Sequence, residues 1–202
     1  MTAPPATGPE GAGADAAGHP DPRDQLVDHL PALRAFALSL TRNGAAADDL
    51  VQDAILKAWS NIHRFQAGTN LRAWLFTILR NTFYSDRRKR TREVADPDGH
   101  HARSLSESPA HDSRLAFSEF LRAFDALSPE HREVLVLVGA EGFSYEEAAQ
   151  MMGVAVGTVK SRANRARGRL SALLGLAEGE NVLAEVDGVT LAVVAQARAG
   201  VA

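Results

Sequence analysis

Lys160, Arg162, Arg165, Arg167 and Arg169 place five cations within ten residues, and no acid stands among them. The chain as a whole carries a formal net charge of −3. The stretch VGTVKSRANRARGRL is therefore a local basic patch, and its natural counterpart is an anion. Within it Val159, Ala163, Ala166 and Leu170 recur at steps of four, three and four, which lines up one face of a helix. On the other side stand Thr158, Lys160, Ser161, Asn164, Arg165 and Gly168. Ammonium, guanidinium, amide and hydroxyl groups in that mixture can read base edges and neutralise phosphates, and the glycine permits close approach. A basic face can also simply meet water. The segment before it argues for more: Ser144 and Glu147 have capping-box spacing at the head of AAQMM, and Gly153 supplies a turn into the basic helix. Helix, glycine turn and basic helix make a helix-turn-helix, which places its second helix in a DNA major groove.

A second basic run, Arg87, Arg88, Lys89 and Arg90, closes another helical segment, where it also complements the helix dipole. Aromatics are only 6% of the chain, so their positions matter. Phe65 falls in the loop FQAGTN, and Phe76 and Tyr84 fall off the apolar stripe, so these three are expected to stack on unpaired bases. Trp74 and Phe83 continue the stripe and are assigned to the core. Reaction chemistry is not expected. The sequence has no glycine-rich phosphate loop, nucleophile elbow or H-E-x-x-H pattern, so no enzymatic activity follows from it. It has no cysteine, hence neither disulfides nor thiolate metal sites. His100, His101 and His111 sit in a polar stretch without rigid geometry, so neither metal nor cofactor is expected. The start resembles no signal peptide and no apolar run reaches the roughly 18 residues of a membrane span, which points to a cytoplasmic protein.

The elements that position these groups read as helices. Residues 1–22, rich in Ala, Gly and Pro, are expected to be disordered. Leu26, Leu30, Leu33, Ala37 and Leu40 mark a first helix, with Asn43-Gly44 suited to a left-handed cap at its end. The next helix is expected to carry Asp48 and Asp49 in its first turn and an apolar stripe of Val51, Ile55, Ala58, Trp59 and Ile62. Asn70 can cap a third, with Leu71, Trp74, Leu75, Ile78, Leu79 and Phe83 inward. Residues 93–113 are polar and aperiodic, a linker. Leu115 to Leu127 is helical again, Ser128-Pro129 starts another helix, and VLVLV continues it. Residues 176–202 carry a hairpin-like turn at 186–189 and a short helix at 192–199, with no assigned role.

Two segments joined by that linker resemble one family. DDLVQDAILKAW followed by GTNLRAWLFTILRN resembles region 2 of bacterial RNA polymerase sigma factors, and FSYEEAAQMMGVAVGTVKSRANRARGRL resembles region 4. The likeness covers roughly residues 24–175 and fits the compact extracytoplasmic-function (ECF) group. FQAGTNLRAWLFTILRNTFYSDRRKR with VGAEGFSYEEAAQMMG is similar to the general-stress, EcfG-like sigma factors of alphaproteobacteria. The resemblance implies an all-α chain of two small helical domains, a region 2 bundle at 23–92 and a region 4 helix-turn-helix at 114–175, flexibly joined. It implies a transcription initiation factor for the general stress response, held in check by a NepR-like anti-sigma factor, with no small-molecule substrate.

The same resemblance implies which residues do what. Asp49, Gln52, Asp53 and Ile55 match positions that grip the β′ subunit of core polymerase, whose β subunit is a further partner. Phe65, Gly68, Thr69, Asn70, Asn81, Arg87 and Arg88 match the region that melts and captures the minus-ten element. Thr158, Lys160, Ser161, Asn164 and Arg165 match positions facing the minus-thirty-five element, though Asn164 departs from the aromatic of some relatives. A linker of about 20 residues has a coil span of roughly 25 Å and a stretched reach near 65 Å. It permits the two domains to separate without setting their spacing, so polymerase is expected to hold them apart on promoter DNA. Two rival classes stay open. A helix-turn-helix regulator acting without polymerase leaves LRAWLFTILRN unused, and a sigma-mimicking binder of anti-sigma factors would carry a phosphate-receiver domain.

Overall fold

The computed structural model describes residues 21–93, 112–176 and 195, with side chains described from residue 118 in the second segment. The expected disorder of 1–20, most of the linker with its three histidines, and the tail beyond 176 apart from 195 lie outside the described residues. Every regular element among them is helical. Helices α1 (Leu30–Thr41), α2 (Gly44–Ser60) and α3 (Leu71–Glu93) form one group. Helices α4 (Asp112–Asp125), α5 (Pro129–Val134), α6 (Tyr145–Met152) and α7 (Val156–Leu173) form the other.

Local chemistry explains most of the boundaries. Ser128 accepts a hydrogen bond from the His131 amide with Pro129 in the first turn of α5. Ser144 and Glu147 close a reciprocal capping box on α6, at 3.1 and 2.9 Å. Gly153 ends α6 at φ 64°, a left-handed conformation that suits glycine. The junction of α1 and α2 differs from expectation. Arg42, not the Asn43-Gly44 pair, takes the left-handed position at φ 56°, while Asn43 is extended and its side chain accepts from the Ala46 amide. One short polar side chain thus starts the second helix instead of ending the first. Consequently α2 begins at Gly44, and Asp48 and Asp49 fall in its second turn.

The run VLVLV is helical, but changes type: from Leu135 to Ala140 the chain widens into a π-helix, with the Glu141 amide bonded back to the Val136 carbonyl at 2.8 Å. Val134, Leu135, Val136 and Leu137 are all buried, which accounts for a run without amphipathic spacing. The linker boundaries shift by little, with α3 continuing past the basic run to Glu93 and α4 starting at Asp112.

The two helical groups pack on one another, α1 against α5 and α3 against α6, around a shared apolar core. Phe36 stacks on Phe76 at 5.0 Å, and Phe76 meets Phe143 edge-on at 5.3 Å. Phe76 is therefore fully buried. That corrects its assignment to base stacking: it is off the stripe facing α2, but it faces α1 and the second domain. Tyr84 is corrected likewise, since it is partly buried and donates its hydroxyl to Glu133 at 2.7 Å. Trp59 is the opposite case, expected inside and found 54% exposed.

Candidate nucleic-acid interface

Helix α7 presents two faces as its spacing predicts. Val159, Ala163, Ala166 and Leu170 are wholly buried, while Lys160, Asn164, Arg165 and Gly168 are exposed and Thr158 and Ser161 half-exposed. Arg165 donates to the Ser161 hydroxyl at 2.6 Å, and Lys160 sits over the Tyr145 ring at 5.6 Å from its centroid. Both cations are thus held along the helix surface. The basic run is not uniform. Arg167 is buried and bonds the Tyr145 hydroxyl at 3.3 Å, so it joins α7 to α6 and does not face outward.

In the first domain a cavity of about 380 Å³ opens between α2 and α3, lined among others by Lys57, Asn61, Arg64, Trp74, Asn81 and Ser85. That volume lies within the roughly 300–1,000 Å³ of small-ligand clefts. Its lining combines an indole face, two amides and two cations, a set able to take an unpaired base and the phosphate beside it. Asn81 is exposed at its rim. Phe65 is half-buried against Trp74, 5.4 Å between ring centroids, so the loop is tied to the cavity wall. Gly68 turns the loop at φ 84°, where a side chain would be strained. Thr69 bonds back to the Gln66 carbonyl at 2.7 Å, and Asn70 caps α3 by accepting from the Ala73 amide at 3.1 Å. Arg87 and Arg88 are exposed two turns beyond Asn81.

A third surface runs along α2. Asp49, Gln52 and Asp53 are exposed, and Leu56 and Trp59 continue the strip at 65% and 54% exposure. Arg23 stacks over the Trp59 ring at 5.3 Å. Ile55 points partly inward and packs against the core.

Residues 26–93 match the family model for Sigma-70 region 2, and residues 117–170 match that for Sigma-70 region 4. The chain is 58% identical over 152 residues to the ECF RNA polymerase sigma factor EcfG of Rhodopseudomonas palustris, covering 75% of this chain and 84% of that one. This protein belongs to the ECF sigma factors of RNA polymerase. It is also 33% identical over 162 residues to the sigma factor CarQ of Myxococcus xanthus, covering 78% of this chain and 91% of that one. Among solved structures, the sigma factor RpoE of Bartonella quintana, crystallised in complex with the anti-sigma factor NepR, matches with TM-score 0.68 and 51% identity. The match covers 77% of this chain and 98% of that one.

As a sigma factor the chain is a transcription initiation factor, and the geometry distributes its candidate residues over three surfaces. Asn81 lines one cavity, to whose wall Phe65 is tied through Trp74, whereas Thr69 and Asn70 line a separate cleft beside Glu147 and Gln150. Lys57, Asn61 and Arg64 share the Asn81 cavity and were not singled out in the sequence, because the spacing of isolated polar residues does not show where they converge. The exposure of Trp59 was not foreseen because an apolar side chain at helical spacing reads as core, and Leu56 was not singled out at all.

The contacts between regions 2 and 4 were not legible in advance. Arg72 pairs with Glu141 and Arg80 with Glu133. Arg87 pairs with Glu130 at 3.3 Å, and the Asn70 amide donates to Glu147 at 3.2 Å. Burial pushes the Glu133 carboxyl above its usual range, although Arg80 and Tyr84 pull it down. Arg132 crosses in the other direction and donates to the Ser39 and Leu40 carbonyls at the end of α1. Burial lowers its pKa to about 10, so it keeps its charge at neutral pH.

Proposed function

We propose that this sigma factor uses its three surfaces for three tasks. The α2 strip of Asp49, Gln52 and Asp53, extended by Leu56 and Trp59, docks on the β′ subunit of core polymerase. Acidic groups suit a basic partner, and an exposed tryptophan beside leucine is the usual kind of interface anchor. The cavity at Asn81, together with the separate loop of Phe65, Gly68, Thr69 and Asn70 and with Arg87 and Arg88 beyond, captures an unpaired base of the minus-ten element and the adjoining backbone. The outward face of α7, Thr158, Lys160, Ser161, Asn164 and Arg165, anchors the minus-thirty-five duplex. The observation that carries this reading is that three chemically different surfaces lie apart: a basic outward face on α7, a cavity lined by an indole, amides and cations, and an acidic and apolar strip on α2.

The likeness to EcfG and to the NepR-bound relative supports a role in the general stress response under an anti-sigma factor of the NepR kind. The protein acts by binding and not by catalysis, in the cytoplasm where polymerase is. Among the described residues no helix is long and apolar enough to cross a membrane, and no cluster of metal-ligating side chains occurs. Run-off transcription tests the reading. Core polymerase and genomic promoter fragments should give a discrete transcript only when this protein is added. A transcript pattern unchanged by its addition would refute it.

A further inference from the structure

The strip along α2 has a companion from outside the helix. Asp49, Gln52, Asp53, Leu56 and Trp59 recur at steps of three, one, three and three, so they share one side of α2, and every one of them is exposed. Over Trp59 lies Arg23, its guanidinium 5.3 Å from the centroid of the indole. The two residues are far apart in sequence, and spacing along α2 could not show the contact.

The stack is not what holds the Arg23 segment in place. Leu26 is buried in the core, and the Asp24 amide donates to the Asp21 carbonyl at 2.9 Å and the Leu26 amide to the Arg23 carbonyl at 3.2 Å, which folds the chain into turns. Arg23 is itself fixed locally. Its amide donates to the Asp21 carboxylate at 2.9 Å, and its guanidinium meets the other carboxylate oxygen at 3.3 Å. A guanidinium so placed covers one face of the indole and leaves the rest open, for Trp59 is still 54% exposed. An exposed tryptophan has several rotamers open to it, and freezing such a side chain on binding costs affinity. A cation held over the ring removes part of that cost in advance. The Asp21 carboxylate also offsets the charge of Arg23, so the stack adds no net positive charge to a surface proposed to meet basic groups.

We infer that Arg23 is a positioning residue for core polymerase binding: held by Asp21, it presents the open face of the Trp59 indole, beside Leu56, to the polymerase subunit that docks on α2. This rests on the docking role of α2 proposed above. Arg23 acts through Trp59 and makes no contact of its own with polymerase. Its contribution is modest, since a cation over an aromatic ring at an exposed site changes an equilibrium constant about two- to fivefold. It is readable all the same, because the effect must vanish once the indole is gone.

A double-mutant cycle on core polymerase affinity tests this, with wild type, Arg23→Ala, Trp59→Ala and the combined variant titrated under the same conditions. Arg23→Ala should weaken binding about two- to fivefold, and Arg23→Lys should keep most of the affinity by leaving a cation over the ring. In the Trp59→Ala protein, Arg23→Ala should cost nothing further. A second arm needs no polymerase. The sequence has two tryptophans, so in a Trp74→Phe background Trp59 is the sole indole fluorophore. Adding Arg23→Ala there should speed the local decay of its fluorescence anisotropy and raise its quenching by acrylamide, while the melting temperature stays within about two degrees. Unaltered anisotropy decay and quenching overturn the positioning role. So does an equal loss of affinity from Arg23→Ala with and without the indole, which would make Arg23 a direct contact. A weakened Trp59→Ala beside an unaffected Arg23→Ala sinks this inference alone, whereas wild-type core affinity in Trp59→Ala would sink the docking of polymerase on this tryptophan and the inference with it.

Discussion

Glu133 shows how one side chain can serve packing at the expense of its own ionisation. It is wholly buried, accepts from Arg80 and Tyr84, and still has its carboxyl pKa raised by burial. The folded form therefore binds its proton at a higher pH than the unfolded form, and the group's contribution to stability increases as pH falls toward its unfolded value near 4.5. Glu133→Gln cannot titrate. Denaturant melts of both proteins between pH 7 and pH 4.5 should show wild type gaining stability relative to the variant as pH falls; a constant difference would mean the carboxyl is not perturbed. Asn81 illustrates the other kind of residue, exposed at a cavity rim and contributing little to the fold. Asn81→Ala should leave the melting temperature unchanged within about two degrees, since surface substitutions of this kind stay within roughly 0.5 kcal/mol.

Helices α2 and α7 carry the strips proposed to dock polymerase and DNA, and periodicity only half reveals them. For α7 the buried stripe was readable because Val159, Ala163, Ala166 and Leu170 stand at regular steps with polar residues between them. For α2 the same reasoning put Trp59 inside, because spacing shows which residues share a face but not which face has a neighbour. Alanine at both Leu56 and Trp59 should weaken core polymerase binding by about 2–4 kcal/mol in a titration, with helicity retained, as expected for interface anchors. Asp49→Lys with Asp53→Lys should also reduce binding, and more steeply at low salt. Wild-type affinity in both variants would remove α2 from the interface. Two glycines separate shape from function. Gly153→Ala should cost about 1–2 kcal/mol of stability, because φ 64° is left-handed and open space around the added methyl offers no clash to blame instead. Gly168→Ala, on the exposed face of a regular helix, should gain about 0.5–1 kcal/mol in the same melts.

Chain order and helix type followed from capping residues and stripes, and the two modules from their motifs. The way they pack did not. Arg72, Arg80 and Glu133 look like ordinary surface charges of helices, and nothing in their spacing says that each finds its counterion in the other domain. Phe76 was misplaced for the same reason, since its partner Phe143 lies 67 positions away. Long-range pairing of this sort is decided by the surfaces left over once each bundle has formed. The two surfaces proposed to meet DNA, by contrast, lie on different domains and should fail in different ways. Lys160→Ala/Arg165→Ala should lower holoenzyme affinity for promoter DNA by about 1–3 kcal/mol for each lost base contact, with a shallower salt dependence, because the duplex anchor is lost. Asn81→Ala should leave that affinity largely intact and impair the step after it. Permanganate footprinting of unpaired thymines near the start site, on matched and premelted templates, reads both steps at once. The account predicts few reactive thymines for Asn81→Ala on the duplex promoter, recovered transcription on a template mismatched across the minus-ten element, and normal opening by whatever fraction of the Lys160/Arg165 variant is bound. Wild-type opening by Asn81→Ala, or normal binding without opening by the Lys160/Arg165 variant, would contradict it.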